Sequence, residues 1–153
     1  MVEPRDIVGS TDHQARLGDH DWKDLVEHHQ ALLREALGGW RDVENDTADG
    51  FYATFDGPAR AIHCALEIRD RFHELGIEIR AGIHIGECEL IDGKYAGIAV
   101  TTGARVSALA EPSQVLVSQT VKDLVAGSGF TFEPAGEHEL KGVPTRWRLF
   151  SAQ

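Results

Sequence analysis

The stretch Ile77-Glu78-Ile79-Arg80-Ala81-Gly82-Ile83-His84-Ile85 decides the fold. Apolar residues occupy every second position in it, and charged residues, glycine or histidine fill the positions between. A period of two is the signature of a β-strand, because successive side chains point to opposite faces of a sheet. The pattern therefore predicts a strand over 77–85 with one face buried and the other polar.

Helical and extended patterns flank this strand on both sides. Apolar spacing predicts helices over 21–37, 58–75, 98–110 and from 118 to about 127, with Gly76 ending the second and Ser118 capping the last. Short apolar runs predict strands over 40–43, 51–55, 87–91, 114–118, 130–133, 137–141 and 146–151, with turns at 44–50 and 92–93. This order predicts an α+β sandwich, a ferredoxin-like core whose helices pack on one sheet.

Length and charge limit the function classes. The 153 residues suit a single domain spanning 1–153. Asp and Glu number 25 against 15 Lys and Arg, a formal net charge of −10, which argues against a nucleic-acid-binding protein. No stretch approaches 18 apolar residues and no apolar leader opens the chain, so we expect a cytoplasmic protein without a membrane partner. Two isolated cysteines argue against a disulfide framework.

Two acidic segments could carry chemistry. In the first, Asp6 and Ile7 precede a short turn whose backbone N–H groups could cradle phosphate; its residues are Val8, Gly9, Ser10 and Thr11. The second contains Asp49 at a hairpin tip. Carboxylates on adjacent strand ends could share a pair of Mg²⁺ ions, whereas either segment taken alone is also compatible with an ordinary turn.

Six motifs follow one another in order over nearly the whole chain: DIVGST at 6–11, DGFYATFDGPARAI at 49–62, AGIHIGE at 81–87, GIAV at 97–100, ARV at 104–106 and ELKGVP at 139–144. Taken together, they resemble the catalytic domain of class III nucleotidyl cyclases, most closely its bacterial adenylate cyclase branch. The resemblance implies a ferredoxin-like core sandwich with a mixed, mainly antiparallel sheet and helices packed on it.

The resemblance also implies a reaction. The 3′-hydroxyl of ATP attacks the α-phosphate, and cyclic AMP and pyrophosphate are formed with two Mg²⁺ or Mn²⁺ ions. Asp6, Asp49 and the carbonyl of Ile7 match the metal ligands of one chain. The second chain of a head-to-tail homodimer supplies Arg105 for the transition state, and Lys141 matches the lysine that meets the triphosphate. Thr101 stands where the family has the asparagine that accompanies this arginine.

The base-reading positions differ from those of adenylate-specific relatives. The lysine of the family falls on Asn45, or on Asp46 if the hairpin carries a gap, and its aspartate falls on Lys94. Lys94 can only donate a hydrogen bond, so it cannot accept one from the amino group of adenine. Two interpretations stay open here: a reversed pair that reads guanine and accepts GTP, or a pairing of Asp46 with Lys94 that closes the base pocket.

The sequence therefore predicts an adenylate cyclase homologue of low activity, and leaves two alternatives open. Thr101, Lys94 and Ala48, which replaces a glycine of the family, also fit a degenerate module that dimerises or binds nucleotide without turnover. The short segment before Asp6, which contains Pro4, points the same way because it could leave Asp6 loosely held. In the other alternative, the chain is one half of a heterodimer whose partner supplies the missing base reader and asparagine.

Overall fold

The structure, a computed structural model, describes residues 2–7, 18, 24, 27, 43–45, 50–74, 76–92 and 94–153, and at 2–7, 43–45, 50–52, 94 and 95 it describes the backbone alone. Twelve elements have defined bounds within these residues. They are β1 (Val2–Ile7), β2 (Val43–Asn45), β3 (Gly50–Thr54), α1 (Pro58–Glu74), β4 (Ile79–Ile83), β5 (Glu89–Ile91), β6 (Lys94–Ala96), α2 (Ile98–Leu109), β7 (Val115–Ser118), α3 (Gln119–Leu124), β8 (Phe132–Glu139) and β9 (Arg146–Ala152).

One mixed sheet organises the molecule. Its strand order is β2-β3-β1-β4-β7-β9-β8, and β5 and β6 form a separate two-stranded sheet. The β4–β7 pair is parallel, while the other neighbouring strands run antiparallel. The α+β class and the mixed, mainly antiparallel sheet with packed helices are confirmed.

The central strand β4 is buried on both faces, so the prediction of one polar face is wrong. Ile79 and Ile83 join the larger core cluster, in which α1 contributes Ile62, Ile68 and Phe72. On the opposite face α2 crosses so closely that a Cβ at Gly82 would lie 2.6 Å from the Cα of Ser107. The glycine is what admits this helix, and the second helix layer buries Gly82 and leaves Arg80 half-buried.

The same two-sided packing continues into β7. Val115 and Val117 belong to the α1 side, whereas Leu116 packs with Val106 of α2 and with Leu149 of β9 in a smaller cluster. All four residues of β7 are buried. A short apolar run buried on both faces is typical of a strand covered by helices on each side.

Several predicted bounds need correction. The segments 130–133 and 137–141 form one strand, β8, whose pairing with β9 shifts between Pro134 and Glu137. Glu44 and Asn45, predicted as a turn, belong to β2. The short segment before Asp6 belongs to a sheet strand, β1, which pairs with β3 from Val2 and with β4 from Arg5.

The helix signals read from the sequence are confirmed where the structure describes them. Ser118 caps α3, since its hydroxyl oxygen accepts a hydrogen bond from the Val121 N–H. Gly76 adopts a φ of +75° after α1, a left-handed conformation that glycine reaches without strain. Asp24 and Glu27, the described members of the predicted 21–37 helix, are both helical.

Candidate active site

Two of the predicted metal residues, Asp6 and Ile7, lie at the end of β1. Asp6 lies opposite Gly50 in the β1–β3 register and opposite Arg80 in the β1–β4 register. Ile7, the predicted carbonyl ligand, is the last residue of β1 and lies opposite Ile79. Asp49 immediately precedes Gly50 in the sequence and itself lies outside the described residues, as do Val8, Gly9, Ser10 and Thr11.

Arg80 is a candidate that the sequence analysis missed. It shares the α2 face of β4 with Gly82, two positions along the strand. Its side chain is half-buried, and its Nε atom is enclosed without a hydrogen-bond partner among the described residues. The alternating pattern had assigned Arg80 to a polar surface, and only the strand register shows that it lies opposite Asp6.

Helix α2 presents the two predicted transition-state residues on one exposed face. Thr101 and Arg105 are four positions apart, the spacing that aligns side chains on a helix. The Thr101 hydroxyl turns back along the helix, with its Oγ1 3.5 Å from the Gly97 carbonyl oxygen. Arg105 reaches outward instead, and its Nε donates to the carbonyl oxygen of Lys141 at 3.2 Å.

The structure thereby brings together two residues that are 36 positions apart in the chain, Arg105 and Lys141. Lys141 occupies the turn between β8 and β9 and is exposed. Beside it lies an open cavity of about 430 Å³, lined by Glu139, Leu140, Lys141, Val143, Thr145 and Arg146. The backbone of the Lys141 turn thus lies against the Arg105 guanidinium, in a chain whose net charge is −10.

The predicted base-reading residues lie in different sheets. Asn45 ends β2 opposite Phe51, and Lys94 opens β6 opposite Ile91. Asp46 lies outside the described residues. Neither the guanine-reading pair nor the pairing that closes the pocket is tested by these positions, so both stay predictions.

His84 is a structural residue of the neighbouring core. The residue is 7% exposed, and its ring lies edge-on to Trp147 with Nδ1 2.9 Å from the Ser118 hydroxyl. Burial lowers the pKa of His84 from 6.5 to about 4. The imidazole is therefore neutral at physiological pH and ties the end of β4 to the cap of α3.

The donor chemistry of the β1 end suits hard divalent cations. The Asp6 carboxylate and the Ile7 carbonyl offer only oxygen, as does the predicted ligand Asp49, and oxygen is the ligand type that Mg²⁺ and Mn²⁺ prefer. Within the described side chains, no three His, Cys, Asp or Glu residues cluster as an alternative metal site.

No helix in the described part of the chain is long and apolar enough to cross a membrane.

A known protein family and several curated proteins match this chain. The family described as the adenylate and guanylate cyclase catalytic domain matches residues 63–151. An uncharacterized protein of Mycobacterium tuberculosis is 32% identical over 145 residues, which cover 91% of this chain and 50% of that protein. The chain thus spans about half the length of the curated relatives it matches first, and the single domain over 1–153 stays a prediction.

Solved structures share the fold over almost the full chain. The adenylyl cyclase CyaB from P. aeruginosa superposes with a TM-score of 0.86 at 18% identity, covering 99% of this chain and 92% of that one. An adenylate/guanylate cyclase/hydrolase from Silicibacter pomeroyi superposes with a TM-score of 0.80 at 27% identity, covering 98% and 93%.

Proposed function

This chain belongs to the adenylate and guanylate cyclase catalytic domain family, and from that premise we propose that it cyclises a purine nucleoside triphosphate at a homodimer interface. ATP is the proposed substrate, and cyclic AMP and pyrophosphate are the products. The observation that supports the proposal is the contact between Arg105 and the Lys141 turn, since it makes neighbours of the residues that match the transition-state arginine and the triphosphate lysine of the family.

The end of β1 supplies the second half of the proposed site. Asp6, Asp49 and the Ile7 carbonyl would hold two Mg²⁺ or Mn²⁺ ions. When bound, such ions activate the attacking oxygen and offset charge on the phosphates. The 3′-oxygen forms a bond to the α-phosphorus as its proton passes to water, and the bond from that phosphorus to the pyrophosphate oxygen breaks.

Arg80 adds a cation to this half. Residues opposite each other in an antiparallel pair share a face of the sheet, so Arg80 and Asp6 belong to one face at the β1 end. We infer that the Arg80 guanidinium faces the triphosphate, where charge-assisted hydrogen bonds would give its enclosed Nε an acceptor.

Exposed apolar side chains support dimerisation. Leu90 and Ile91 of the β5–β6 hairpin are 63% and 52% exposed, and Ile98 at the start of α2 is 59% exposed. Removing such side chains from water is favourable, and in the proposed dimer their burial would bring α2 of one protomer toward the β1 end of its partner. Each composite site would then take Asp6 and Asp49 from one protomer and Arg105 and Lys141 from the other.

Thr101 favours low turnover. The Thr101 side chain is short, and its hydroxyl, which offers one hydrogen-bond donor, lies against its own helix. An asparagine side chain reaches further, and its amide donates two hydrogen bonds. Loss of one such donor lowers kcat by roughly 100-fold or more in well-studied sites. The same observation supports a second candidate function, a nucleotide-binding dimer without turnover.

The test is cyclic nucleotide formation by the purified protein with Mn²⁺ and either ATP or GTP. We expect product from ATP that disappears in Asp49→Ala and falls at least roughly 100-fold in Arg105→Ala. A preference for GTP would support the reversed pair formed by Asp46 and Lys94. Absence of product from a folded dimer with both nucleotides would refute turnover by this chain alone and leave the binding module or a heterodimer.

Mixing the two inactive variants tests the composite site. A mixed dimer of Asp49→Ala and Arg105→Ala chains contains one intact site and one site lacking both residues. After subunit exchange we therefore expect roughly a quarter of the wild-type rate, because half of the dimers are mixed and each has one working site. A mixture as inactive as its components would exclude residues shared across the interface.

A further inference from the structure

The turn that follows β8 has a defined geometry. The Val143 N–H donates to the Leu140 carbonyl oxygen at 2.9 Å, and Gly142, the third residue, has a φ of +80°. A positive φ at the third position identifies a type II turn. Type I and type II turns differ by a flip of their central peptide, whose carbonyl here belongs to Lys141.

The orientation of that peptide decides whether Arg105 has an acceptor. In the observed turn, the Lys141 carbonyl oxygen lies 3.2 Å from the Arg105 Nε. A type I turn would rotate the same carbonyl away from α2. Gly142 makes the observed orientation accessible, since a residue with a side chain is strained at this φ.

A second contact fixes the turn against the helix. Leu140, the first turn residue, is 3% exposed and packs in the cluster that contains Val106, the neighbour of Arg105 in α2. Val143 packs against the same cluster. The turn and the middle of α2 are therefore joined by apolar packing as well as by the Arg105 hydrogen bond.

We propose that this type II turn positions Arg105 for catalysis, with Gly142 as the positioning residue that aims the Lys141 carbonyl at the guanidinium. The inference rests on the proposed function for its catalytic consequence. Arginine has five N–H donors, so the bond from Nε leaves the Nη donors for phosphate oxygens. The carbonyl acceptor restricts a long, exposed side chain before substrate binds.

The experiment compares Gly142→Ala with Gly127→Ala. Both glycines have positive φ values, +80° and +87°, and a Cβ at either would meet nothing within 4 Å. The two substitutions thus impose similar backbone strain, but only Gly142 adjoins the Arg105 acceptor. The ¹H–¹⁵N signal of the Arg105 Nε, assigned by its loss in Arg105→Lys, reports the hydrogen bond without any need for activity.

We expect Gly142→Ala to shift the Arg105 Nε signal and speed its exchange with water, and Gly127→Ala to leave it unchanged. Gly142→Asn should retain most of the wild-type signal, because asparagine tolerates left-handed backbone better than alanine. If Gly142→Ala fails to fold, the Arg105 Nε signal is measured in Gly142→Asn instead. Equal effects of Gly142→Ala and Gly127→Ala, or no effect of either, would overturn the inference.

Kinetics give the catalytic consequence. In the wild-type background Gly142→Ala should lower kcat roughly tenfold while the KM of the triphosphate changes little, because the loss is in orientation. In the Arg105→Ala background the same change should alter kcat by no more than about twofold, as expected for two residues acting through one contact. A shifted Nε signal in a protein without turnover would refute the proposed function and leave the positioning contact standing.

Discussion

Acidification should remove a defined part of the stability of this protein through one buried residue, His84. The ring is enclosed between Trp147 and the Ser118 hydroxyl, and that hydroxyl also accepts from the Val121 N–H. An oxygen that already accepts one hydrogen bond is best used as a donor to the Nδ1 atom of a neutral ring. Protonation of Nδ1 would add a second donor to this contact and a charge to a site that excludes water.

The magnitude follows from the pKa. Burial lowers the pKa of His84 to about 4 in the folded protein, whereas the same imidazole has a pKa near 6.5 in the unfolded chain. Above 6.5 both states are neutral and the folded protein has its full stability. As the pH falls from 6.5 toward 4, the unfolded state binds a proton that the folded state does not, so the free energy of unfolding decreases by about 3 kcal/mol.

The assay is urea unfolding, followed by tryptophan fluorescence at fixed protein concentration, from about pH 7.5 to about pH 4.5. Carboxylates titrate in the same range, so the informative quantity is the difference between wild type and His84→Asn. The amide places a polar atom close to the position of Nδ1 and does not titrate. We expect the stability advantage of the wild type to shrink by about 2.5 kcal/mol across this range.

A matched control is His73→Asn, which removes an exposed histidine from α1. Its unfolding free energy should follow the wild-type pH dependence closely. If the wild type and His84→Asn instead lose stability in parallel on acidification, His84 titrates alike in both states. The reasoning from burial would then be refuted.

Three further outcomes are expected elsewhere in the molecule. Gly82→Ala should lower the free energy of unfolding by about 3 kcal/mol in urea titrations, because the added methyl group would overlap helix α2. The control Gly57→Ala, which has open space around it, should change that free energy by less than about 0.5 kcal/mol. Leu90→Asp should weaken dimerisation by roughly tenfold in sedimentation velocity, and Leu124→Asp, at a similarly exposed position, should leave it unchanged. Arg80→Gln should raise the KM of the triphosphate roughly tenfold in steady-state assays, with partial recovery in Arg80→Lys.

Each of these predictions can fail in a distinct way. An alanine tolerated at Gly82 would mean that α2 can retreat from β4. Equal effects at Leu90 and Leu124 would remove the β5–β6 hairpin from the interface. An unchanged KM in Arg80→Gln would separate this arginine from the triphosphate and leave it a structural role beside Asp6.

Local patterns in the sequence predicted most of the fold. The alternation around Ile79 identified β4, helical spacing identified α1 and α2, and the Ser118 cap identified the start of α3. These signals are readable because the periods of strands and helices are properties of neighbouring residues. The motifs around Asp6, Arg105 and Lys141 also predicted the family, which the comparisons show.

The tertiary structure decided the contacts between residues that are far apart in the sequence. It buried the second face of β4 under α2, since the sequence of β4 carries no information on which helix covers it. It placed Arg80 opposite Asp6, because register depends on the pairing of two whole strands. It also joined Arg105 to the Lys141 carbonyl, a contact set by a backbone turn 36 residues away, which no local pattern of α2 encodes.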